Sequence, residues 1–378
     1  MQIVEVLFIF IFSNSKLVWS SKSKEDCSET QVFTANKPIE IVMKLSYQVV
    51  DLPLKHTFTI AHQSRDVQDS LIVKLEDAGF FGLGEATSNP YYGVTVERMA
   101  DSLDSFREVV ENGKWDHPSE LWELGRQHFA QDAFAQCALD MAAWDLYAKQ
   151  RGQKLYEVLG LNPKDIPISN FTIGIDSVEK MVAKMKEVDW PIYKIKLGTD
   201  HDLEIVRALR KETDATFRID ANCAWTAEQA IRNSEELAKL GVEFMEQPLP
   251  RESWEEMKEV FQHSKLPVMA DESCMVESDV AKCHGLFHAI NVKLVKAGGI
   301  TPGLRMIQEA KNLGMKTMVG CMTESSVGIS AIAHLAPLLD YVDMDGALLL
   351  AHDPAEGVVV KTDGVTFPDR AGIGAVLK

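Results

Sequence analysis

The sequence predicts an α/β fold, an eight-stranded parallel (β/α)7β barrel preceded by an α+β capping domain. Three observations predict it. The chain has 378 residues, beyond the size at which a single hydrophobic core usually stops growing, so a large barrel carrying a second, smaller domain is expected. From Asn170 onward, short β-branched runs alternate with amphipathic segments at a spacing of roughly 22 to 28 residues, the period of βα units around a barrel. The residues that end successive runs are acidic or basic, and in such barrels the C-terminal strand ends carry the chemistry.

The chain opens on an apolar run, residues 4–12, that is too short to span a bilayer as a helix. It resembles the core of a signal peptide, but no Lys or Arg precedes it and Glu5 sits at its start, against the usual pattern. Residues 1–42 are therefore read as an N-terminal extension, signal-like or disordered, with Met43 as an alternative start. A cytoplasmic location is expected, a secretory or targeting signal being the alternative, and no membrane span is expected. Residues 43–160 are assigned to the capping domain. Within it, 47–86 has strand and turn character, 94–149 is mostly helical, and a helical stretch over 138–161 runs into the barrel.

Residues 161–350 are assigned to the barrel. Its eight strands are expected at NFTIGI (170–175), YKIKLG (193–198), FRIDAN (217–222), VEFMEQP (242–248), PVMADES (267–273), AINVKL (289–294), KTMVGC (316–321) and YVDMDG (341–346). Seven helical segments fit between them. TAEQAIRNSEELAKL (226–240) opens on a Thr cap, and SWEEMKEVFQHS (253–264) on a Ser cap three residues before Glu256. The tail, 351–378, returns to short strands and turns and is expected to pack back on the cap.

Composition narrows the function classes. A formal net charge of -17 argues against a polyanion partner, because phosphate contacts need clustered Lys and Arg. The six cysteines, Cys27, Cys137, Cys223, Cys274, Cys283 and Cys321, are scattered without a C-x-x-C pair, so they are read as reduced thiols. The expected partner is a small molecule. The oligomeric state, a homo-oligomer included, is left open.

The strand ends carry a constellation. Asp220, Glu246 and Asp271 end three adjacent strands and are expected to converge. Carboxylates so close repel one another unless a cation lies between them, and all-oxygen ligation suits Mg²⁺ best, with Mn²⁺ a substitute. Asn222 and Glu272 are placed behind this shell. Lys194 and Lys196 stand two residues apart, on one face of strand two. A neighbouring ammonium and a bound cation lower a lysine from roughly 10.4 toward a useful general base, and Lys196, nearer the strand end, takes that role.

Lys293 ends strand six, diametrically opposite strand two. A carbon held between the two amines can lose a proton to one and regain it on its other face, which inverts a stereocentre. The cation and Lys194 supply positive charge to the enediolate formed on the way. Lys296 falls out of phase with Lys293 and is read as structural.

The motifs KIK, RIDAN, MEQP, ADES and NVKLVKAGG resemble those of the enolase superfamily, muconate-lactonising subgroup, over nearly all the chain after Met43. The resemblance implies an enolase-like cap over a TIM-like (β/α)7β barrel, Mg²⁺ on three acids, and removal of a hydrogen α to a carboxylate. YVDMDG on strand eight is similar to the D-x-D motif of dipeptide epimerases, including L-Ala-D/L-Glu epimerases, in which the pair binds the substrate ammonium. Asp343 and Asp345 suit that ammonium physically as well, two carboxylates at the barrel mouth. The similarity further implies that Thr172, Cys321 and Thr323 contact the peptide.

Enzymes for Ala-Glu commonly use an Arg in the first cap loop. Arg65 offers one, although Gln63 stands where the usual pattern has it and Asp66 is close enough in sequence to pair with Arg65. Tyr91 and Tyr92 equally suit an apolar or extended side chain. The expected activity is an isomerase's, epimerising L-Ala-L-Xaa dipeptides with loose second-residue specificity. The alternatives are N-succinylamino acid racemase, o-succinylbenzoate synthase, muconate cycloisomerase and a non-catalytic metabolite-binding barrel.

Overall fold

The computed structural model describes residues 43–378; the apolar run at 4–12, the extension 1–42 and Cys27 lie outside the described residues. The N-terminal part is a three-stranded antiparallel sheet, β1 (Lys44–Ile60), β2 (Gln63–Asp77) and β3 (Phe80–Thr87). Ile60 pairs with Gln63, so β1 and β2 turn through Ala61 and His62 alone. β2 and β3 turn through Ala78 and Gly79, both at positive φ, the backbone twist that two-residue hairpins prefer.

Three helices follow, α1 (Val96–Asn112), α2 (Pro118–Gly125) and α3 (Ala133–Gln150); α1 and α3 cover this sheet, and α2 packs against α3. α1 buries Val96, Met99, Leu103, Phe106 and Val110, one stripe at helical spacing. α3 is buried on nearly every side, Asp140 and Asp145 included. The continuous helix expected over 138–161 is corrected. α3 ends at Gln150, Gly152 takes φ +64, and a single separate turn, α4 (Leu155–Val158), follows. The left-handed glycine stops the helix, and the freed backbone at Gln153 and Leu155 bonds to Gly372 of the tail.

All eight expected runs coincide with a strand, two of which start one residue earlier: β4 (Phe171–Ile173), β5 (Ile192–Lys196), β6 (Thr216–Asp220), β7 (Val242–Glu246), β8 (Val268–Ala270), β9 (Ala289–Val292), β10 (Lys316–Gly320) and β11 (Tyr341–Asp343). They form one parallel sheet in the order of the chain, β4 through β11. The helices between them are α5 (Val178–Glu187), α6 (Asp202–Arg210), α7 (Ala227–Lys239), α8 (Trp254–His263), α9 (Glu277–Cys283), the pair α10 (Leu294–Ala297) and α11 (Ile300–Asn312), and α12 (Ser326–Leu335). α7 opens on the expected Thr226 cap, completed by Gln229 as a capping box. Ser253 occupies the cap position of α8, but its side chain makes no capping bond, which corrects the second cap.

The barrel's last seam is closed by side chains. Between β4 and β11, Asn170 donates to Asp343 at 2.7 Å, the Thr172 N–H donates to Asp345 at 2.5 Å, and the Met344 N–H donates to the Ser169 hydroxyl at 3.0 Å. The two aspartates of the D-x-D motif thus belong to the wall that closes the barrel.

Strand alternation sorts the interior into layers. Phe244, Met269, Ala289 and Met318 form a small apolar plug of their own at the bottom, with Tyr341 packed against it. Arg218 lies over the rings of Phe244 and Tyr341. Asn291 sits above this plug, opposite Gly320, where a Cβ would come within 2.7 Å of its amide. The tail places Ala355–Glu356 against Val376–Leu377 and a hairpin at Val359–Lys361 and Gly364–Thr366. It touches α3 where the Ile373 N–H donates to Asp145 at 2.7 Å. Among the described residues, no helix is long and apolar enough to cross a membrane.

Candidate active site

Asp220 and Glu246 are the last residues of β6 and β7 and are paired in register, and Asp271 follows the last residue of β8. One carboxylate oxygen from each lies within 4.8 Å of the other two, and all three residues are fully buried. Each acid has one oxygen held in place. The Asn222 N–H donates to Asp220 Oδ1 at 2.9 Å, the Asn291 amide to Glu246 Oε1 at 2.8 Å, and the Lys296 ammonium to Asp271 Oδ1. The other oxygen of each faces a lysine ammonium, Asp220 Oδ2 that of Lys196 at 2.7 Å, Glu246 Oε2 that of Lys194 at 2.8 Å and Asp271 Oδ2 that of Lys293 at 2.7 Å.

Burial opposes ionisation of Asp220 and Asp271, but lysine ammoniums override it. Asp220 is pulled down to about 2 by Lys196 and Lys194, and Asp271 is held well below the carboxylate range by Lys293 and Lys296. Glu246 is pushed up to about 7, by burial first and then by the charges of its two neighbours.

The lysines flank this triad. Lys196 ends β5 with its Nζ 2.7 Å from Asp220 Oδ2, and Lys293, one residue past β9, has its Nζ 2.7 Å from Asp271 Oδ2. β5 and β9 are four positions apart in the eight-strand order, so the two amines reach the triad from opposite sides. Lys194 lies between, 3.2 Å from Asp220, 2.8 Å from Glu246 and 2.9 Å from Asp343.

Burial pulls Lys194 and Lys293 down, but the carboxylates packed around them outweigh it and hold both above the ordinary lysine value. The carboxylates facing each ammonium stabilise its charged form.

Above the triad lies a cavity of about 570 Å³. Lys194, Lys196, Lys293, Asn222, Glu272, Thr172, Cys321, Thr323, Asp343 and Asp345 line its barrel side, and Phe58, Ile60, His62, Arg65, Tyr91 and Tyr92 its cap side. Every site residue singled out in the sequence therefore lies in this cavity or directly beneath it. Asp343 and Asp345 are buried, 4% and 2% exposed, so the D-x-D pair is no solvated pair at the mouth. Asp343 is already engaged by Lys194 and Asn170. Among the described residues, Asp345 Oδ1 has the Cys321 thiol alone as hydrogen-bond partner, at 3.9 Å. Burial, then the charge of Asp343, pushes Asp345 up to about 7. Asp66 does not pair with Arg65; it accepts the Thr57 hydroxyl at 2.6 Å. Among the described residues, the half-buried Arg65 forms no ion pair.

Several contributors went unread in the sequence, and Lys296 was read only as structural. Lys296 is buried against Asp271 and the Cys274 carbonyl, so its structural role is to hold a triad carboxylate. Asn291, two residues before Lys293, shares its strand face, and that alternation was a usable signal. Gln247, at φ +32, accepts the N–H groups of Asp271 and Ser273, each at 3.0 Å. His62, at the tip of the cap hairpin, bonds the Asn222 carbonyl at 2.7 Å.

The triad fits a divalent cation. Its donors are three buried carboxylates, and Glu246 Oε2 and Asp271 Oδ2 accept no well-aligned hydrogen bond although lysine ammoniums lie 2.8 and 2.7 Å away. Buried carboxylates with two such oxygens among them suit Mg²⁺, which prefers oxygen ligands and keeps positions for water or substrate.

Comparison with known proteins agrees with this geometry. Residues 176–378 match a family described as enolase C-terminal domain-like, and residues 44–160 match the mandelate racemase / muconate lactonizing enzyme N-terminal domain. The L-Ala-D/L-amino acid epimerase of Flavobacterium johnsoniae is 58% identical over 335 residues, covering 89% of this chain and 100% of that one. The L-Ala-D/L-amino acid epimerase of a Maribacter species is 54% identical, covering 89% and 99%. Among solved structures, the dipeptide epimerase from Cytophaga hutchinsonii, in complex with Mg and the dipeptide D-Ala-L-Val, superposes with a TM-score of 0.85 at 27% identity, covering 89% of this chain and 96% of that one. The chain belongs to the mandelate racemase / muconate lactonizing enzyme family of the enolase superfamily.

Proposed function

We propose that this protein is a Mg²⁺-dependent dipeptide epimerase that inverts the α-carbon of the second residue of L-Ala-L-Xaa dipeptides. One observation carries the reading: two lysine amines approach one carboxylate triad from opposite sides, beside a buried aspartate with an oxygen to spare. Asp220, Glu246 and Asp271 are the residues that hold the cation. Bound there, the cation places positive charge beside the substrate's terminal carboxylate and so eases removal of the adjacent hydrogen.

Lys196 or Lys293, as the free amine, takes the α-hydrogen from its own face and becomes an ammonium. The opposite lysine, already an ammonium, returns a proton to the other face. One C–H bond breaks, one forms, and the stereocentre is inverted. Lys194 adds a fixed positive charge between Glu246 and Asp343. Asp345, through its Oδ1, takes the substrate ammonium. A buried carboxylate with one oxygen spare gains more from that pairing than a solvated one.

The second side chain meets Arg65 together with Phe58, Ile60 and Tyr91. A cation beside apolar rings supports loose specificity, acidic and apolar residues both being accepted. A cytoplasmic location is also our reading, supported by the free thiols of Cys137, Cys223, Cys274, Cys283 and Cys321.

Incubation of a dipeptide library with the protein and Mg²⁺ in D₂O, read by mass gain, tests the reading. L-Ala-L-Xaa and L-Ala-D-Xaa are each expected to gain one deuterium and to interconvert, whereas N-acetylated dipeptides, which lack the ammonium, are expected to react poorly. Lys196→Ala and Lys293→Ala are each expected to abolish interconversion while retaining exchange of a single stereoisomer. Interconversion surviving either change would remove the two-base scheme, and preference for N-acylated amino acids would favour N-succinylamino acid racemase activity.

A further inference from the structure

Lys196 and Lys293 are held in place by different means. Lys196 lies within the barrel ladder, in register with Asp220, so its backbone is fixed by the sheet. Lys293 lies beyond the end of β9, at φ -97 and ψ 120, as the cap residue of α10, a helix of four residues whose cap has no side-chain bond. Its position depends on the chain that follows, a left-handed turn at Gly298 and Gly299 (φ +93 and +128) that leads into α11.

That turn is gripped by the cap. The Trp122 indole N–H donates to the Gly298 carbonyl at 2.9 Å. Asp140, from α3, accepts the Thr301 N–H at 2.9 Å and the Thr301 hydroxyl at 2.6 Å, and the Trp144 indole donates to the same hydroxyl at 2.9 Å. Asp140 and Thr301 are 2% and 4% exposed. A Cβ on Gly299 would come within 2.4 Å of the Asp140 carboxylate, so the carboxylate lies directly against the turn. A carboxylate on the free N–H groups of a helix start is a strong anchor, and here it comes from another part of the fold, 161 residues away in sequence.

We propose that Asp140 is a positioning residue for Lys293, so that the cap sets the reactivity of one of the two bases and leaves the other to the barrel sheet. The inference rests on the two-base reading above. Asp140 does not touch the cavity; it acts through the Gly298–Thr301 turn and the single helical turn between that segment and Lys293. A displacement of about 1 Å at a reacting group costs on the order of a hundredfold in rate; Lys296, in the same short helix, is held separately by Asp271 and the Cys274 carbonyl, so loss of this anchor acts on the face served by Lys293.

The test measures deuterium exchange separately for the L,L and L,D dipeptides. Lys196→Ala first identifies the isomer served by Lys293, and Lys293→Ala the isomer served by Lys196. Asp140→Asn keeps the size of the side chain but cannot accept both Thr301 donors, and Thr301→Val removes the hydroxyl with little change in shape. In each variant, exchange of the Lys293 isomer is expected to fall on the order of ten- to a hundredfold in kcat, while exchange of the Lys196 isomer stays at the wild-type rate and thermal melting confirms a folded protein. Thr301→Val keeps the inference exposed to refutation if Asp140→Asn does not fold. Equal losses for both isomers, or no loss for either, overturn it. A wild-type protein that exchanges neither isomer overturns the epimerase reading and this inference with it, a result distinct from the other two.

Discussion

Glu324→Gln should change how stability depends on pH, and the size of the effect follows from where the carboxyl sits. Glu324 is 3% exposed, behind the loop that carries Cys321 and Thr323, and its Oε1 accepts the Met322 N–H at 2.9 Å. Burial, and then the charge of nearby Glu85, push it from 4.5 up to about 8. Glu85 is itself buried, its oxygens taken by Ser70, by Ser325 and by the Gly328 N–H. A carboxyl whose folded value lies above its unfolded value binds its proton more tightly when folded. Its contribution is therefore fully present below about 4.5 and is lost as pH rises toward 8.

The slope inside that window is about 1.4 kcal/mol per pH unit, so roughly 2 kcal/mol is lost between about pH 6 and 8. Gln keeps the acceptor for Met322 and has no proton to lose. Unfolding by urea or heat, for wild type and Glu324→Gln across pH 5 to 9 in metal-free buffer, is expected to give curves that diverge with rising pH, the variant becoming the more stable. Parallel curves would refute the reasoning, because they would mean that Glu324 is no harder to ionise folded than unfolded.

Thr226→Ala removes one half of the capping box on α7, where the Thr226 hydroxyl accepts the Gln229 N–H at 3.2 Å; about 1 kcal/mol of stability is expected to be lost in urea titration, with kcat unchanged, since the cap lies outside the cavity. Arg65→Leu removes the cation from the cap side of the cavity. Because Arg65 is only half buried and screened by solvent, kcat/KM for L-Ala-L-Glu is expected to fall by about tenfold, some 1.4 kcal/mol, with little change for L-Ala-L-Phe. A uniform loss across both dipeptides would assign Arg65 to packing of the hairpin.

Much of the barrel was legible because its signals are local. A strand shows itself over a few residues of β-branched alternation, and the same alternation says which side chains face inward, so Lys194 and Lys196 share a face and Asp220 and Glu246 end neighbouring strands. What failed depended on geometry that the local pattern does not report. The helix expected through 138–161 has apolar spacing throughout, but Gly152 and a tail more than two hundred residues away decide where it stops. Ser253 has the right residue type for a cap and the wrong geometry to make the bond.

The sequence by itself determined the strand order, the acids and lysines at the strand ends, and the family to which the chain belongs, since each is encoded in short-range pattern and residue type. Tertiary structure alone decided the rest. It made the D-x-D pair part of the barrel seam, left Asp345 rather than Asp343 with an oxygen to spare, turned Lys296 toward Asp271, and set Asp140 against the turn that follows Lys293. Those contacts join residues from 25 to about 170 positions apart, and no periodicity reports them. They arise because buried polar groups must find partners wherever the packed chain provides them.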